Sequence, residues 1–375
     1  MSGSGRRAPR PLRSDVWQLA RQAAGHRGTR DGRYTGLLQC ADGTVLKPIL
    51  KESQKQEVAF YERLQTTEDP DLVEFRQFVP KYYGTTRFTY NGHEQEYIVL
   101  EDLAKGMLQT CVMDIKIGKR TWDHLASPEK VSRERGKYAL CKQQFSFCIP
   151  GFVAVSRAGR VTAAGKQHGK ALHGEMVLAA LRQFLNASSG AVSRALLLEF
   201  LLSLWRLQRW SGARRTLRLA AASLLLLYDA HALPDTDSNE CRPIPRSRTF
   251  PSFPSPVSNA STVSFSHTQH SINPSHSPIN SPWTEALKNL KNHSFEHNYE
   301  DKVHKMKVDY QNELEQLSSD TPAVKCPTGT VKVIDFAHAH FHDDEEPSVD
   351  ENFKEGIDSL VNIFEMLLKE TDDQV

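Results

Sequence analysis

A chain of 375 residues is long enough for two domains, or for one large domain carrying an insertion. Its 47 Lys and Arg against 45 Asp and Glu leave a formal net charge of +2, which argues against nucleic-acid binding by bulk charge but leaves room for a local basic pocket. The six cysteines (Cys40, Cys111, Cys141, Cys148, Cys241, Cys326) form no C-x-x-C pair, so neither a disulfide scaffold nor a zinc ribbon is expected.

Residues 1–14 are read as disordered. They are basic and lack the apolar stretch of a secretory signal, and no apolar run in the chain reaches the roughly 18 to 20 residues of a membrane span, so a soluble, intracellular protein is expected. A hairpin then turns at Asp42-Gly43, flanked by residues 36–39 and 44–47. Residues 52–64 suit a helix with Val58, Phe60, Tyr61 and Leu64 on one face. Strands follow at 97–100 and 112–118, a helical pattern over 177–210, and a strand at 224–228. Composition then shifts: residues 234–282 hold nine of the 19 prolines and twelve serines. Such a stretch buries too little apolar surface to offset its ordering entropy, so 234–327 is read as a disordered insertion, with a charged helix at 297–318 as an alternative to solvated coil. Order resumes with a strand at 331–336 and a last amphipathic helix over 352–369. Small β-elements first, helices later and an insertion between strands predict a two-lobed α+β fold. Its N-lobe would span 15–103, and its larger C-lobe 104–233 and 328–375, with the lobes meeting near 101–103.

The most informative segment is Val112-Met113-Asp114-Ile115-Lys116-Ile117-Gly118. Alternation along a strand puts Met113, Ile115 and Ile117 on one face and Asp114 and Lys116 on the other, which is either solvent or a polar cleft. Lys119, Arg120, Lys130, Arg133, Arg135 and Lys137 follow within twenty residues, a cradle for a polyanion or a solvated basic helix. A second strand delivers Asp335 and then His338, and a carboxylate at a strand end suits magnesium or caps a turn. Lys47 lies ten residues before Glu57, a strand lysine and a helical glutamate such as protein kinases pair over nucleotide phosphates. Glu101-Asp102-Leu103 suits a hinge that bonds adenine through its backbone, and Ser223 a hydroxyl near a metal or one bonded to backbone.

Taken in order, Lys47, Glu57, the hinge, Asp114-Ile-Lys116-Ile-Gly118, Ala222-Ser223-Leu224-Leu225 and Ile334-Asp335-Phe336-Ala337-His338 resemble the inositol polyphosphate kinase family, and within it the multikinase branch. The likeness runs over residues 23–233 and 328–369. It implies ATP and Mg2+ as cofactors and inositol polyphosphates, with phosphoinositide headgroups, as acceptors. It also implies a nuclear and cytoplasmic protein. Lys47 would contact the ATP phosphates, Glu101 and Leu103 would bond adenine, and Asp114 would hold the ribose. Asp335, with Ser223 near it, would ligate magnesium. Lys116, Lys130, Arg133, Lys137 and His338 would grip the substrate phosphates, with Lys170 as a looser match. A monomer without nucleic-acid partners is expected, with protein partners reached through 234–327.

Thr110 stands where the family motif has proline, Ala222 replaces the first serine of S-S-L-L, and Glu134 places a carboxylate among the basic residues. The competing readings are an inositol trisphosphate 3-kinase, an inositol hexakisphosphate kinase, and a non-catalytic scaffold with a decayed kinase fold. A protein kinase is excluded by the missing Gly-rich and H-R-D-x-x-x-x-N loops.

Overall fold

A computed structural model describes residues 16–19, 22–23, 28–30, 33–156, 159–185, 193–213, 215–233, 329–343 and 346–371. The chain divides into two units, residues 1–233 with 311–375 and residues 234–310. The N-terminal tail, the Ser/Pro-rich insertion and the helix predicted within it lie outside the described residues.

The N-terminal part contains strands β1 (Val16–Gln18), β2 (Thr29–Arg30), β3 (Arg33–Tyr34), β4 (Leu38–Cys40) and β5 (Thr44–Pro48), then helices α1 (Glu52–Thr66) and α2 (Pro70–Phe75), then β6 (Tyr82–Tyr90) and β7 (His93–Glu101). An antiparallel five-stranded sheet runs β1-β4-β5-β7-β6. The predicted hairpin turn joins β4 to β5. Gly43 adopts φ 88°, and Asp42 Oδ1 accepts from the Thr44 backbone N–H at 3.0 Å and its hydroxyl at 2.7 Å. Helix α1 buries Glu57, Phe60, Tyr61 and Leu64, spaced i, i+3, i+4 and i+7, while Val58 is only half-buried. A carboxylate thus takes the first place in the apolar stripe that the sequence assigns to valine.

The remaining elements are β8 (Thr110–Ile117), α3 (Pro128–Gly136), α4 (Ala139–Phe145), β9 (Phe147–Val155), β10 (Val161–Ala164), α5 (Lys166–Ala171), α6 (Glu175–Phe184), α7 (Arg194–Ser211), β11 (Leu217–Leu219), β12 (Ser223–Asp229), β13 (Thr330–Ile334), β14 (Ala339–Phe341) and α8 (Glu351–Glu370). The second antiparallel sheet has the order β10-β9-β8-β12-β13, so β8 is central and nearly every residue of it is buried. Of the two readings of its Asp–Lys face, solvent or a polar cleft, the cleft is the one found: Asp114 and Lys116 line a cavity together with residues of the first sheet. Its apolar face meets α8, where Gly356 lets the helix approach Ile117: a Cβ at Gly356 would come within 2.7 Å of the Ile117 Cγ2. Gly118, at φ 91°, serves a similar close approach. A Cβ there would fall 2.2 Å from Asn352 Nδ2, and the Asn352 amide clasps the turn by accepting from Arg120 N at 2.8 Å and donating to Arg120 O at 3.0 Å. Among the described residues no helix is long and apolar enough to cross a membrane.

Phe336 ties the two parts together. It is fully buried, stacks on Phe60 of α1 with ring centroids 4.1 Å apart, and meets Tyr61 and Phe75 edge-on. On the surface, Arg63 of α1 forms a two-pronged pair with Asp343 at 2.6 and 2.8 Å and lies over the Phe341 ring. Truncating Phe336 to alanine would open a cavity at this junction, and the expected loss is about 3–5 kcal/mol, read from urea unfolding midpoints. A loss too small to measure would show that the aromatic cluster does not join the lobes.

Candidate active site

Between the two sheets lies a cavity of about 370 Å³, lined from the N-lobe by Val45, Lys47, Leu100, Glu101 and Leu103, and from the C-lobe by Asp114, Lys116, Leu225, Asp335 and His338. The order of the sheets puts these residues together. Lys47 is on β5, next to β7, which ends at Glu101. Asp114 and Lys116 are on β8, flanked by β12, which in turn pairs with β13.

The Lys47 ammonium is the centre of the site. It lies 2.8 Å from both oxygens of Glu57 and donates to Asp335 Oδ1 at 2.6 Å. Burial alone would lower the lysine pKa, but the two carboxylates raise it, so the ammonium is permanently charged. Glu57 is only 1% exposed, and its burial raises its pKa against the pull of Lys47. For Asp335, burial is outweighed by Lys47 and Lys116, which hold its carboxyl below the usual range. Asp335 adopts φ 66°, a left-handed conformation that costs a non-glycine residue energy and here turns the carboxylate back toward Lys47. Its side chain is 41% exposed, and its second oxygen has no hydrogen-bond partner among the described residues.

On the opposite wall Asp114 is buried, and burial first, then the neighbouring Asp335, push its pKa up to about 6. Lys116 donates to the Ala221 carbonyl at 3.1 Å, and Ala221 is itself in a left-handed conformation, with φ 58°. Ser223 pairs in register with both Lys116 and Ile334, which brings its hydroxyl beside these carboxylates without lining the cavity. Ser223 Oγ and Asp114 Oδ1 are buried and lack a hydrogen-bond partner of good geometry, although the hydroxyl is near enough to lower the Asp114 pKa slightly. Buried oxygens left open next to a carboxylate are the donors a hard cation takes.

At the mouth of the cavity, His338 Nδ1 lies 2.5 Å from Asp123 Oδ2, and His338 Nε2 lies 3.4 Å from Lys130 Nζ. Burial, then the neighbouring Lys130, lower the His338 pKa, so the ring is neutral at neutral pH and carries its proton on Nδ1. A neutral ring there is a hydrogen-bonding group and not a charge. Lys130 and Arg133 are on α3 and Lys137 directly follows it, but Lys137 Nζ is taken by Glu134 at 2.6 Å, and Arg133 is exposed. Lys170 lies exposed on α5 and is not part of the cavity wall.

Three contributors were missed by the sequence reading. Asp123 orients His338. Lys142, 4% exposed, donates to the Glu134 carbonyl at 2.6 Å and holds the end of α3. Asn352 holds the turn after Gly118. A lysine followed by glutamines and two phenylalanines (Lys142 to Phe147) was the one local hint; the other two act on residues over 200 positions away.

Because the folded-state pKa of Asp114 lies above its ordinary 3.8, the folded protein takes up that proton first. The ionised carboxylate therefore destabilises the fold above pH 6, and the penalty disappears as pH falls toward 4. In metal-free buffer Asp114→Asn should raise stability at pH 7.5 by about 3 kcal/mol, a gain that shrinks between pH 6 and 4. Urea midpoints across that range test this, and no gain at pH 7.5 would overturn it.

A family model described as "Inositol polyphosphate kinase" matches residues 97–365, well over half of the chain. The human inositol polyphosphate multikinase is 28% identical over 222 residues, which is 58% of this chain and 52% of that protein, so the chain spans about half the length of this relative. The multikinase of Oryza sativa subsp. indica is 27% identical over 237 residues, 59% of this chain and 79% of that one. The crystal structure of the S. cerevisiae multikinase in complex with ADP and Mn2+ superposes with a TM-score of 0.51 at 18% identity, covering 87% of this chain and 99% of that one, and supports the two-lobed α+β fold. With Lys47 between Glu57 and Asp335 and the Asp114–Lys116 strand on the facing wall, the matched residues make this chain a member of the inositol polyphosphate kinase family.

Proposed function

We propose that this chain is an ATP-dependent inositol polyphosphate kinase of the multikinase type, adding phosphate to hydroxyls of inositol trisphosphate and tetrakisphosphate. The observation that carries the reading is the Lys47 ammonium, fixed by Glu57 and Asp335 on one wall of a cavity whose other wall presents Asp114 and Lys116. Lys47 holds nucleotide phosphates, the backbone at Glu101 and Leu103 meets adenine, and the Asp114 carboxylate accepts the ribose hydroxyls. Asp335, with the open oxygens of Ser223 and Asp114 nearby, suits magnesium. Among the described residues no group of three or more His, Cys, Asp or Glu is arranged to hold a metal alone, so the ion would take its other ligands from water and nucleotide phosphates. Bound there, magnesium supplies charge for the transferring phosphoryl group.

Phosphoryl transfer asks the protein for position and charge more than for a strong base, because the transition state spreads negative charge over the phosphoryl oxygens. Two polyanions must approach each other, and Lys47 and Lys116, on facing walls, offset their repulsion. Lys116, whose one hydrogen bond among the described residues is to a backbone carbonyl, is free to exchange that bond for a substrate phosphate. Lys130 and His338 at the mouth orient the acceptor. A phosphoinositide headgroup offers the same ring and phosphates, so it belongs to the same proposal.

The test is incubation of the protein with magnesium-ATP and inositol 1,4,5-trisphosphate, with products resolved by anion-exchange chromatography. Tetrakis- and then pentakisphosphate should appear in sequence. Lys116→Ala should reduce turnover about 10²-fold and weaken acceptor binding. Asp335→Asn should remove turnover while ADP still binds. A product that stops at tetrakisphosphate would favour the trisphosphate 3-kinase reading, and no product with ATP bound would favour a scaffold.

A further inference from the structure

Helix α3 buries none of its residues, so contacts at its two ends hold it against the cavity. At its start Ser127 Oγ accepts from the Lys130 N–H at 3.3 Å. At its end the buried Lys142 ammonium donates to the Glu134 carbonyl at 2.6 Å and reaches Thr121 Oγ1 at 3.4 Å. A cation on the last carbonyls is also where the helix dipole favours one. Position 134 is therefore fixed, not carried on a swinging tail.

Helical spacing puts Lys130 and Glu134 on one face, and Lys137, the residue after α3, joins that face through its 2.6 Å pair with Glu134. Lys130 contacts His338, which lines the cavity, so this face borders the mouth. Tyr138, next in the chain, gives a second bearing: burial pushes its hydroxyl up to about 12, with smaller contributions from Asp114 in the cavity and from Glu134. The cations on this border differ in kind. Among the described residues Lys116 is bonded to a carbonyl alone, whereas Lys137 is paired at 2.6 Å with Glu134, which also lies 3.9 Å from Arg133 Nε. One carboxylate thus occupies the place on Lys137 that an anionic substituent would take.

On the reading that this chain phosphorylates inositol polyphosphates, we propose that Glu134 is a specificity-determining residue: it admits acceptors that bring a hydroxyl to the last turn of α3 and refuses those that bring a phosphate there. A ring hydroxyl donates to the carboxylate. A phosphate meets like charge and must also break the Glu134–Lys137 pair. Rings with hydroxyls still vacant are accepted, and the fully phosphorylated ring is refused.

The test compares the unmodified protein, Glu134→Gln and the double variant Glu134→Gln/Lys137→Met. Each is assayed for KM with inositol 1,4,5-trisphosphate and for Ki with inositol hexakisphosphate as competitor. In Glu134→Gln the ratio of hexakisphosphate Ki to trisphosphate KM should fall about tenfold, and removal of Lys137 should reverse the gain. A ratio unchanged in Glu134→Gln, with both constants constant or both shifted alike, would overturn the inference and leave the kinase reading standing. An unmodified protein that turns over no inositol phosphate would overturn the kinase reading, and the inference with it.

Discussion

One ammonium group sets the geometry of the molecule. Lys47 comes from the edge-to-centre hairpin of the first sheet, Glu57 from the helix that follows it, and Asp335 from the end of a strand in the second sheet, 288 positions away. A buried carboxylate and a largely buried ammonium are costly to desolvate, and they persist only if their partners stay at hydrogen-bonding distance. The fold must therefore hold β5, α1 and β13 in one arrangement. Phe336, immediately after Asp335, does much of this by stacking into the aromatic face of α1. The residue that carries charge and the residue that carries packing are neighbours, so misplacing one misplaces the other.

The same segment shows why parts of this molecule are legible in its sequence. The Asp42-Gly43 turn, the alternation through Asp114 and Lys116, and the strand ending at Asp335 are local patterns, and local sterics make them. What escaped was set by distant partners. Alternation could not decide whether the Asp114 face meets water or a cleft, because that depends on the first sheet lying opposite. Val58 was assigned to the core of α1, but Lys47 draws Glu57 inward to take that place, while Phe60, Tyr61 and Leu64 are buried as their spacing predicts. Gly118 allows a close approach, but its partner, Asn352, lies more than 200 positions away and could not be named from the local pattern. The charge of His338 was not legible either: burial and the neighbouring Lys130 lower its pKa, against the pull of Asp123.

The site also illustrates a cost carried for chemistry. Asp114 is buried close to Asp335, Ser223 lacks a hydrogen-bond partner, and Asp335 and Ala221 both adopt left-handed backbone conformations. Each is unfavourable in the isolated protein, and a cation with a polyphosphate would relieve the first two by supplying positive charge and an oxygen partner. Sites built this way trade stability for binding.

β12 and β13 lie side by side in one sheet, yet the chain leaves the first at Asp229 and starts the second at Thr330. The entropy of closing such an interval grows only with the logarithm of its length, each doubling costing about 0.6 kcal/mol, so the sheet tolerates a long excursion at small thermodynamic expense. The consequence is kinetic. Pairing strands so far apart in sequence is slow compared with the local hairpins of the N-lobe, and a chain emerging from the ribosome cannot add β13 until the whole interval before it has been made. Lys47 and Glu57 then wait for Asp335, and the ammonium gains its second carboxylate only when the whole sheet has closed.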